Sequence, residues 1–273
     1  MVKFPVLFIG CGNMGSSIID GILSNQIMNK SDIFIIEPNL KKRRFLNKNG
    51  LSVFSKISEL DIKKLGIKAL LIAVKPQIVK EVAYEIKDYM NTNQIIISIV
   101  AGKKIKFYKN IFGKNISIIR AMPNTPASYG KGITAIYPCE KTNNSNLKNT
   151  KKIFSAVGKV VELKQENKMD IVTAISGSGP AYVFLLIDYL IKTAVNKGLD
   201  KKTATILVKE TLLGASYMAS ISPKSPEILR IDVTSPGGVT EAALKEFNKN
   251  SIFLKTLDRA ISAAVKKSIK LSS

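Results

Sequence analysis

A doubly wound, parallel α/β sheet followed by an all-helical half is the architecture the sequence predicts. Three observations predict it. Short, continuously apolar runs alternate with helical patterns as far as Leu163; strand signals then stop; and a glycine-rich turn joins the first apolar run to the first helical pattern. The expected division is 1–163 for the α/β domain and 164–273 for the helical one.

The strand runs are 6–9, 33–36, 69–74, 95–100, 116–120, 133–137 and 160–163. Runs apolar at every position, as at 6–9, 33–36 and 69–74, suit strands covered on both faces by helices. Between two of them Ile78, Val79, Val82, Ala83, Ile86 and Met90 recur at helical spacing and mark a buried stripe. Beyond Leu163 the periodic segments are 182–196, 202–221 and 239–269, the last with a break near Asn250. Pro180 suits a first helical turn and Gly198 a helix end. Val183, Phe184, Ile187, Leu190, Ile191 and Ala194 form a broad apolar face with no sheet to cover it. Helices must bury such stripes, so this half is expected to supply a subunit interface; a self-contained helical bundle is the alternative.

The first turn reads Gly10-Cys11-Gly12-Asn13-Met14-Gly15 and opens a helical pattern. That context matches the dinucleotide-binding, or Rossmann, fingerprint. Gly10 permits the tight turn, Gly12 lets a pyrophosphate approach the backbone, and Gly15 permits close helix–strand packing, with the phosphates at the helix N-terminus. Glu37 ends the second strand run, 22 residues after Gly15, where an acid would hold the adenosine ribose hydroxyls. Glu37 leans toward NADH. The basic run Lys41-Lys42-Arg43-Arg44 could instead pair with the 2′-phosphate of NADPH, or simply form the solvated start of a helix.

Composition narrows the chemistry. The absence of histidine removes the commonest general base and metal ligand together, so no metal site is expected. Cys11 and Cys139 are too few for a disulfide scaffold and lack a histidine to activate them, which suits a reducing cytoplasm. A bound cofactor that brings its own reactive group escapes these limits. The formal charge of +22 is spread along the chain and aromatics are 7 %, so no nucleic-acid platform is expected; the charge would favour acidic small molecules. The longest uninterrupted apolar stretches fall far short of the ~20 residues of a membrane span, and the N-terminus runs into a strand without a cleavable leader, so no membrane association is expected.

The motifs together resemble one family along the whole chain. Phe8-Ile9-Gly10-Cys11-Gly12-Asn13-Met14-Gly15, Ala73-Val74-Lys75-Pro76, Arg120-Ala121-Met122-Pro123-Asn124-Thr125-Pro126, Ser176-Gly177-Ser178-Gly179-Pro180-Ala181-Tyr182 and Ser235-Pro236-Gly237-Gly238-Val239-Thr240 occur in the order seen in pyrroline-5-carboxylate reductases. The resemblance implies a Rossmann domain, a helical domain interlocked with that of a second subunit, and rings of dimers in some members. It implies reduction of pyrroline-5-carboxylate to proline by NAD(P)H, often NADPH. Carried over by position, Gly10, Cys11, Gly12, Asn13, Met14, Gly15, Glu37, Ala73, Val74, Lys75, Ala101 and Asn124 are the expected cofactor residues.

Ser235, Gly237, Gly238, Val239 and Thr240 are the expected substrate residues. Glycine amides just before a helical pattern make a concave donor site for a carboxylate, and the family places the substrate carboxylate there. Thr240 is the expected catalytic residue, hydrogen-bonded to the ring nitrogen for orientation and proton donation. One departure stands out: Leu229-Arg230-Ile231-Asp232 replaces the Leu-Lys-Asp run common in the family, so the acid is displaced and Asp232 receives no role. Two rival readings remain. A 3-hydroxyacid dehydrogenase would use a catalytic lysine on an early helix of the second half, for which Lys192 and Lys197 are candidates. A non-catalytic dinucleotide sensor would bind cofactor and turn nothing over.

Overall fold

The structure is a computed structural model and describes residues 1–2 and 4–272, the side chain of Ser272 excepted. Its contacts divide the chain into two compact units, residues up to Ser178 together with those from Ala264 onward, and Gly179–Ala263. The expected change of domain after Leu163 thus lies earlier in the chain than the change of unit. A helix at Met169–Val172 and a π-helical turn at Thr173–Gly177 still belong to the first unit, with Met169 and Ala174 buried.

In the first unit an eight-stranded sheet is formed by β1 (Val6–Ile9), β2 (Ile33–Ile36), β3 (Ser52–Phe54), β4 (Ala69–Ile72), β5 (Ile95–Ser98), β6 (Ser117–Met122), β7 (Gly132–Pro138) and β8 (Gly158–Glu162). The order is β3-β2-β1-β4-β5-β6-β7-β8. Strands β1, β2 and β4 are buried at every position, as their unbroken apolar runs require. Successive side chains leave opposite faces. Val6 and Phe8 join one core cluster, with Ile18 and Ile22 of α1 (Asn13–Ser24), and Leu7 and Ile9 the other. The latter packs on Val79 and Ile86 of the helix Val79–Lys87 and on Ile105 and Tyr108 of the helix Ile105–Phe112.

Two features depart from the expected parallel sheet. β3 is an edge strand beyond the seven expected, and β7 runs antiparallel to β6. The connection 123–131 is a short 3-10 turn at Thr125–Tyr129 ended by the left-handed Gly130 (φ 67°), too short for the crossover that a parallel neighbour needs. β8 returns parallel to β7.

Among the described residues, the buried side-chain polar atoms have hydrogen-bond partners. The Tyr108 and Ser98 hydroxyls share a 2.5 Å hydrogen bond, and burial pushes the Tyr108 phenol up to about 12 against the opposing effect of that bond. Arg120, from the middle of β6, is buried and donates to Glu166 Oε1 at 2.8 Å; the same oxygen accepts the Ile105 N–H at 2.7 Å. The chain's last helix, Ile252–Ser272, ends in this unit. Its Ser268 hydroxyl donates to Asp170 at 2.7 Å, and the Leu271 carbonyl lies 2.9 Å from where a side chain on Gly102 would begin.

The second unit is helical: Gly179–Asn196, Lys201–Ile221, Pro226–Asp232, Val239–Asn248 and the first part of Ile252–Ser272. Pro180 lies in the first turn as expected, Gly198 (φ 102°) follows a helix end, and Asn250 (φ 52°) makes the expected break. Within the helix Gly179–Asn196 no residue is buried, and Phe184 and Tyr189 are more than half exposed. The continuous helical stretch Glu166–Asn196 is long and apolar enough to cross a membrane by length and composition alone, a feature that the search for uninterrupted runs did not include. Its apolar residues are interspersed with Ser, Gly and Thr, so a search for unbroken runs passes over it.

Candidate active site

The first unit builds its cleft where the strand order reverses. β1 and β4 are neighbours whose chain connections leave in opposite directions across the sheet, and ligands of such sheets bind beyond the carboxyl ends of those strands. A cleft of ≈ 320 Å³ opens there, lined by Gly10, Cys11, Gly12, Glu37, Ala73, Val74 and Lys75 among others. Seven of the expected cofactor residues therefore meet in one concavity.

Each glycine of the loop has a distinct geometry. Gly10 has φ +88°, and a Cβ there would lie 2.9 Å from the Val74 side chain and 3.1 Å from the Ala73 carbonyl oxygen. Gly15 is buried, with a Cβ position 3.0 Å from the Gly10 carbonyl oxygen and 3.4 Å from Ala73 Cβ, so it seats α1 on β4. Gly12 is the reverse case: nothing in the protein lies within 4 Å of its Cβ position. It caps α1, no side chain caps that helix, and the first-turn amides have no intrahelical acceptor. An anion fits this open helix end, so the residues present suit a dinucleotide pyrophosphate. Burial pushes the Cys11 thiol up, opposed by its contact with Ser16, so the loop carries no thiolate charge against phosphate.

Glu37 is buried and already committed. Its Oε2 accepts the Cys11 N–H at 3.2 Å and its Oε1 the Asn39 N–H at 3.0 Å, which ties the glycine loop to the turn after β2. Each carboxylate oxygen keeps a further lone pair for a ribose hydroxyl. The basic run is not merely solvated: Lys42 donates to the Cys11 carbonyl, and Arg43 donates to the Glu37 and Pro38 carbonyls at 3.0 and 2.6 Å. Both cations belong to the helix Leu40–Lys48, whose cap Asn39 accepts the Lys42 N–H.

The remaining expected residues stand apart from this lining. Asn13 is exposed and Met14 half-buried in the first turn of α1. Ala101 follows β5 beside Gly102 and is half-buried. Asn124 is buried and uses both ends of its amide within the protein, donating to the Ser176 carbonyl at 3.1 Å and accepting the Ile133 N–H at 2.9 Å. It locks the turn between β6 and β7. Ile57, Ile78 and Val82, which have no site assignment from sequence, add an apolar wall to the cleft, and Ser55 a polar edge; the stripe containing Ile78 and Val82 was the available signal.

In the second unit, Ser235 to Gly238 form the turn before the helix Val239–Asn248, whose cap is Gly238 and whose first two residues are Val239 and Thr240. A cleft of ≈ 700 Å³ is lined there by Arg230, Thr234, Gly237, Gly238, Glu241 and Lys245 among others. Val239 and Thr240 are exposed. The two glycine amides are not open, as the sequence suggested. Gly238 N–H donates to the Ser235 carbonyl at 3.0 Å, and Gly237 N–H donates to Glu241 Oε2 at 2.8 Å. The first-turn amides from Val239 onward remain as donors, since no side chain caps this helix. Asp232 turns to Lys224 at 2.7 Å. Lys192 pairs with Asp188 one turn back at 2.7 Å, a bond that raises its pKa, the opposite of what a lysine base needs.

Comparison with known proteins places this geometry. A family model described as pyrroline-5-carboxylate reductase dimerisation matches residues 166–271, and one described as NADP oxidoreductase coenzyme F420-dependent matches residues 5–102. The chain is 38 % identical to a pyrroline-5-carboxylate reductase of Arabidopsis thaliana over 272 residues, 99 % of this chain and 96 % of the relative. It is similar to the crystal structure of Plasmodium falciparum pyrroline carboxylate reductase with NADP bound (TM-score 0.85, 33 % identity, 100 % of both chains). It is likewise similar to the Coxiella burnetii pyrroline-5-carboxylate reductase (TM-score 0.90, 33 % identity, 99 % of both chains). With the glycine-loop cleft in one unit, the glycine turn in the other and relatives aligned from end to end, the chain belongs to the pyrroline-5-carboxylate reductase family.

Proposed function

We infer that the protein reduces 1-pyrroline-5-carboxylate to L-proline with NAD(P)H, the closing step of proline biosynthesis. The observation that carries this is an open Gly12 amide end in the first unit combined with full-length identity to reductases of that name. The first unit holds the dinucleotide: Gly10 and Gly12 admit the pyrophosphate, Ala73, Val74 and Lys75 line the cleft, and Glu37 fixes the loop and meets the ribose. When bound, the reduced nicotinamide supplies the hydride for the imine carbon. In the second unit the first-turn amides at Val239 and Thr240 take the substrate carboxylate, and the Thr240 hydroxyl hydrogen-bonds the ring nitrogen, which carries a proton as the C=N bond is reduced. Orientation supplies most of the acceleration, because a hydroxyl of ordinary acidity is a poor acid near neutrality.

The test follows nicotinamide absorbance with pyrroline-5-carboxylate and each cofactor in turn. Glu37 suits the ribose hydroxyls of NADH, while Lys42 and Arg43 bring positive charge near that end, so the ratio of the two rates reads the preference directly. In Thr240→Ala the loss of one hydrogen bond lowers kcat about tenfold and leaves the cofactor Kd unchanged. Unchanged turnover removes Thr240 from the reaction.

The exposed apolar helices of the second unit are read as the dimer face of a cytoplasmic homodimer, a reading that also accounts for the membrane-length stretch Glu166–Asn196. The family model for dimerisation that spans 166–271 supports it. Light scattering on the purified protein is expected to give twice the chain mass; a monodisperse monomer contradicts it. Some reductases of this family assemble dimers into rings, and the same measurement reads the larger mass if this one does.

A further inference from the structure

The turn before the helix Val239–Asn248 already holds a carboxylate. Glu241, at the third position of that helix, folds back so that its Oε2 accepts the Gly237 N–H at 2.8 Å. A glutamate at this position ordinarily reaches back to the N–H of the cap residue. The cap here is Gly238, whose N–H is taken by the Ser235 carbonyl, and the glutamate lands one residue upstream. Gly237 and Glu241 are both exposed, so the bond is held by neither packing nor burial. The cleft around it is open and carries Arg230 and Lys245 on its walls, a setting that attracts anions generally.

We propose that Glu241 is a specificity-determining residue, a tethered carboxylate that holds the Gly237 amide until the substrate carboxylate, seated on the Val239 and Thr240 amides, replaces it there as a further acceptor. This rests on the reading that the turn 235–240 holds the substrate. A ligand with a carboxylate regains the bond that Glu241 gives up, whereas one without it cannot repay the displacement. The occupied fraction of the amide then raises the apparent KM for the true substrate and screens out imines that lack the acid group. Release needs only rotation of an exposed, flexible side chain, so it is fast on the scale of turnover.

The experiment is steady-state kinetics of the full chain with pyrroline-5-carboxylate at saturating reduced cofactor, for wild type, Glu241→Ala and Glu241→Gln. Glu246→Gln, an exposed acid on the same helix, controls for the loss of one negative charge. The expected result is a KM for pyrroline-5-carboxylate lowered about three- to tenfold in Glu241→Ala and by less in Glu241→Gln, with the cofactor KM unchanged and Glu246→Gln at the wild-type value. Circular dichroism of both Glu241 variants should match wild type. A substrate KM that is unmoved or raised in both variants overturns the proposal, as does an equal fall in Glu246→Gln. An active wild type with an unmoved KM overturns this inference alone, whereas a wild type inert toward pyrroline-5-carboxylate overturns the functional reading and this inference with it.

Discussion

Gly12→Val is expected to fold normally and to bind NAD(P)H on the order of 100-fold more weakly, about two tenfold steps of affinity. The two halves of that result have separate causes. Gly12 has φ −65° and ψ −173°, which any residue adopts, and its Cβ position has no protein atom within 4 Å, so the free protein has room for the branched side chain. Its stability cost is confined to a poorer helix cap, about 1 kcal/mol. The same empty space is where a pyrophosphate must approach the amides of α1, and two methyl groups fill it. Cofactor titration by fluorescence measures the first half and thermal unfolding the second. If Gly12→Val binds NADPH as wild type does, the pyrophosphate lies elsewhere. Gly10→Ala is the counter-case: its φ of +88° and the 2.9 Å approach to Val74 make it lose stability before any cofactor is added.

The second large effect is structural. Glu166→Ala strips the buried Arg120 guanidinium of its carboxylate and leaves the Ile105 N–H without its acceptor. Arg120 is only 7 % exposed along its side chain, so solvent gives little compensation. Breaking a buried pair from one side costs about 3 kcal/mol, which for a unit of this size lowers the unfolding midpoint by about 10 °C. Glu166→Gln keeps an acceptor and should lose less. The double change Arg120→Met with Glu166→Leu should recover much of the deficit, because a buried ion pair is often no better than apolar groups of similar volume. A midpoint for Glu166→Ala within about 2 °C of wild type would mean that Arg120 finds another partner.

The strands that the sequence made legible are those buried on both faces. Val6–Ile9 and Ala69–Ile72 are apolar at every position because helices cover both sides, and an unbroken run is a local signal. Ser52–Phe54 is a short, half-buried edge strand with a serine in it, and its pairing with β2 is invisible to local pattern. The antiparallel turn at β7 depends on the length of 123–131, a clue present in the sequence but outweighed by the βα rhythm before it. At the site, the glycine loop was readable because each glycine answers a backbone demand. The commitments of polar groups were not: Glu37, Asn124 and the Gly237 amide all have partners far from what composition or motif indicates, and such pairings exist only after folding.

Ser268 and Leu271 lie far along the chain from Asp170 and Gly102, the residues against which they seat. The loop that follows β5 is therefore covered only by a segment remote in sequence, and the surface of the sheet is finished by a late helix and not by its own neighbours.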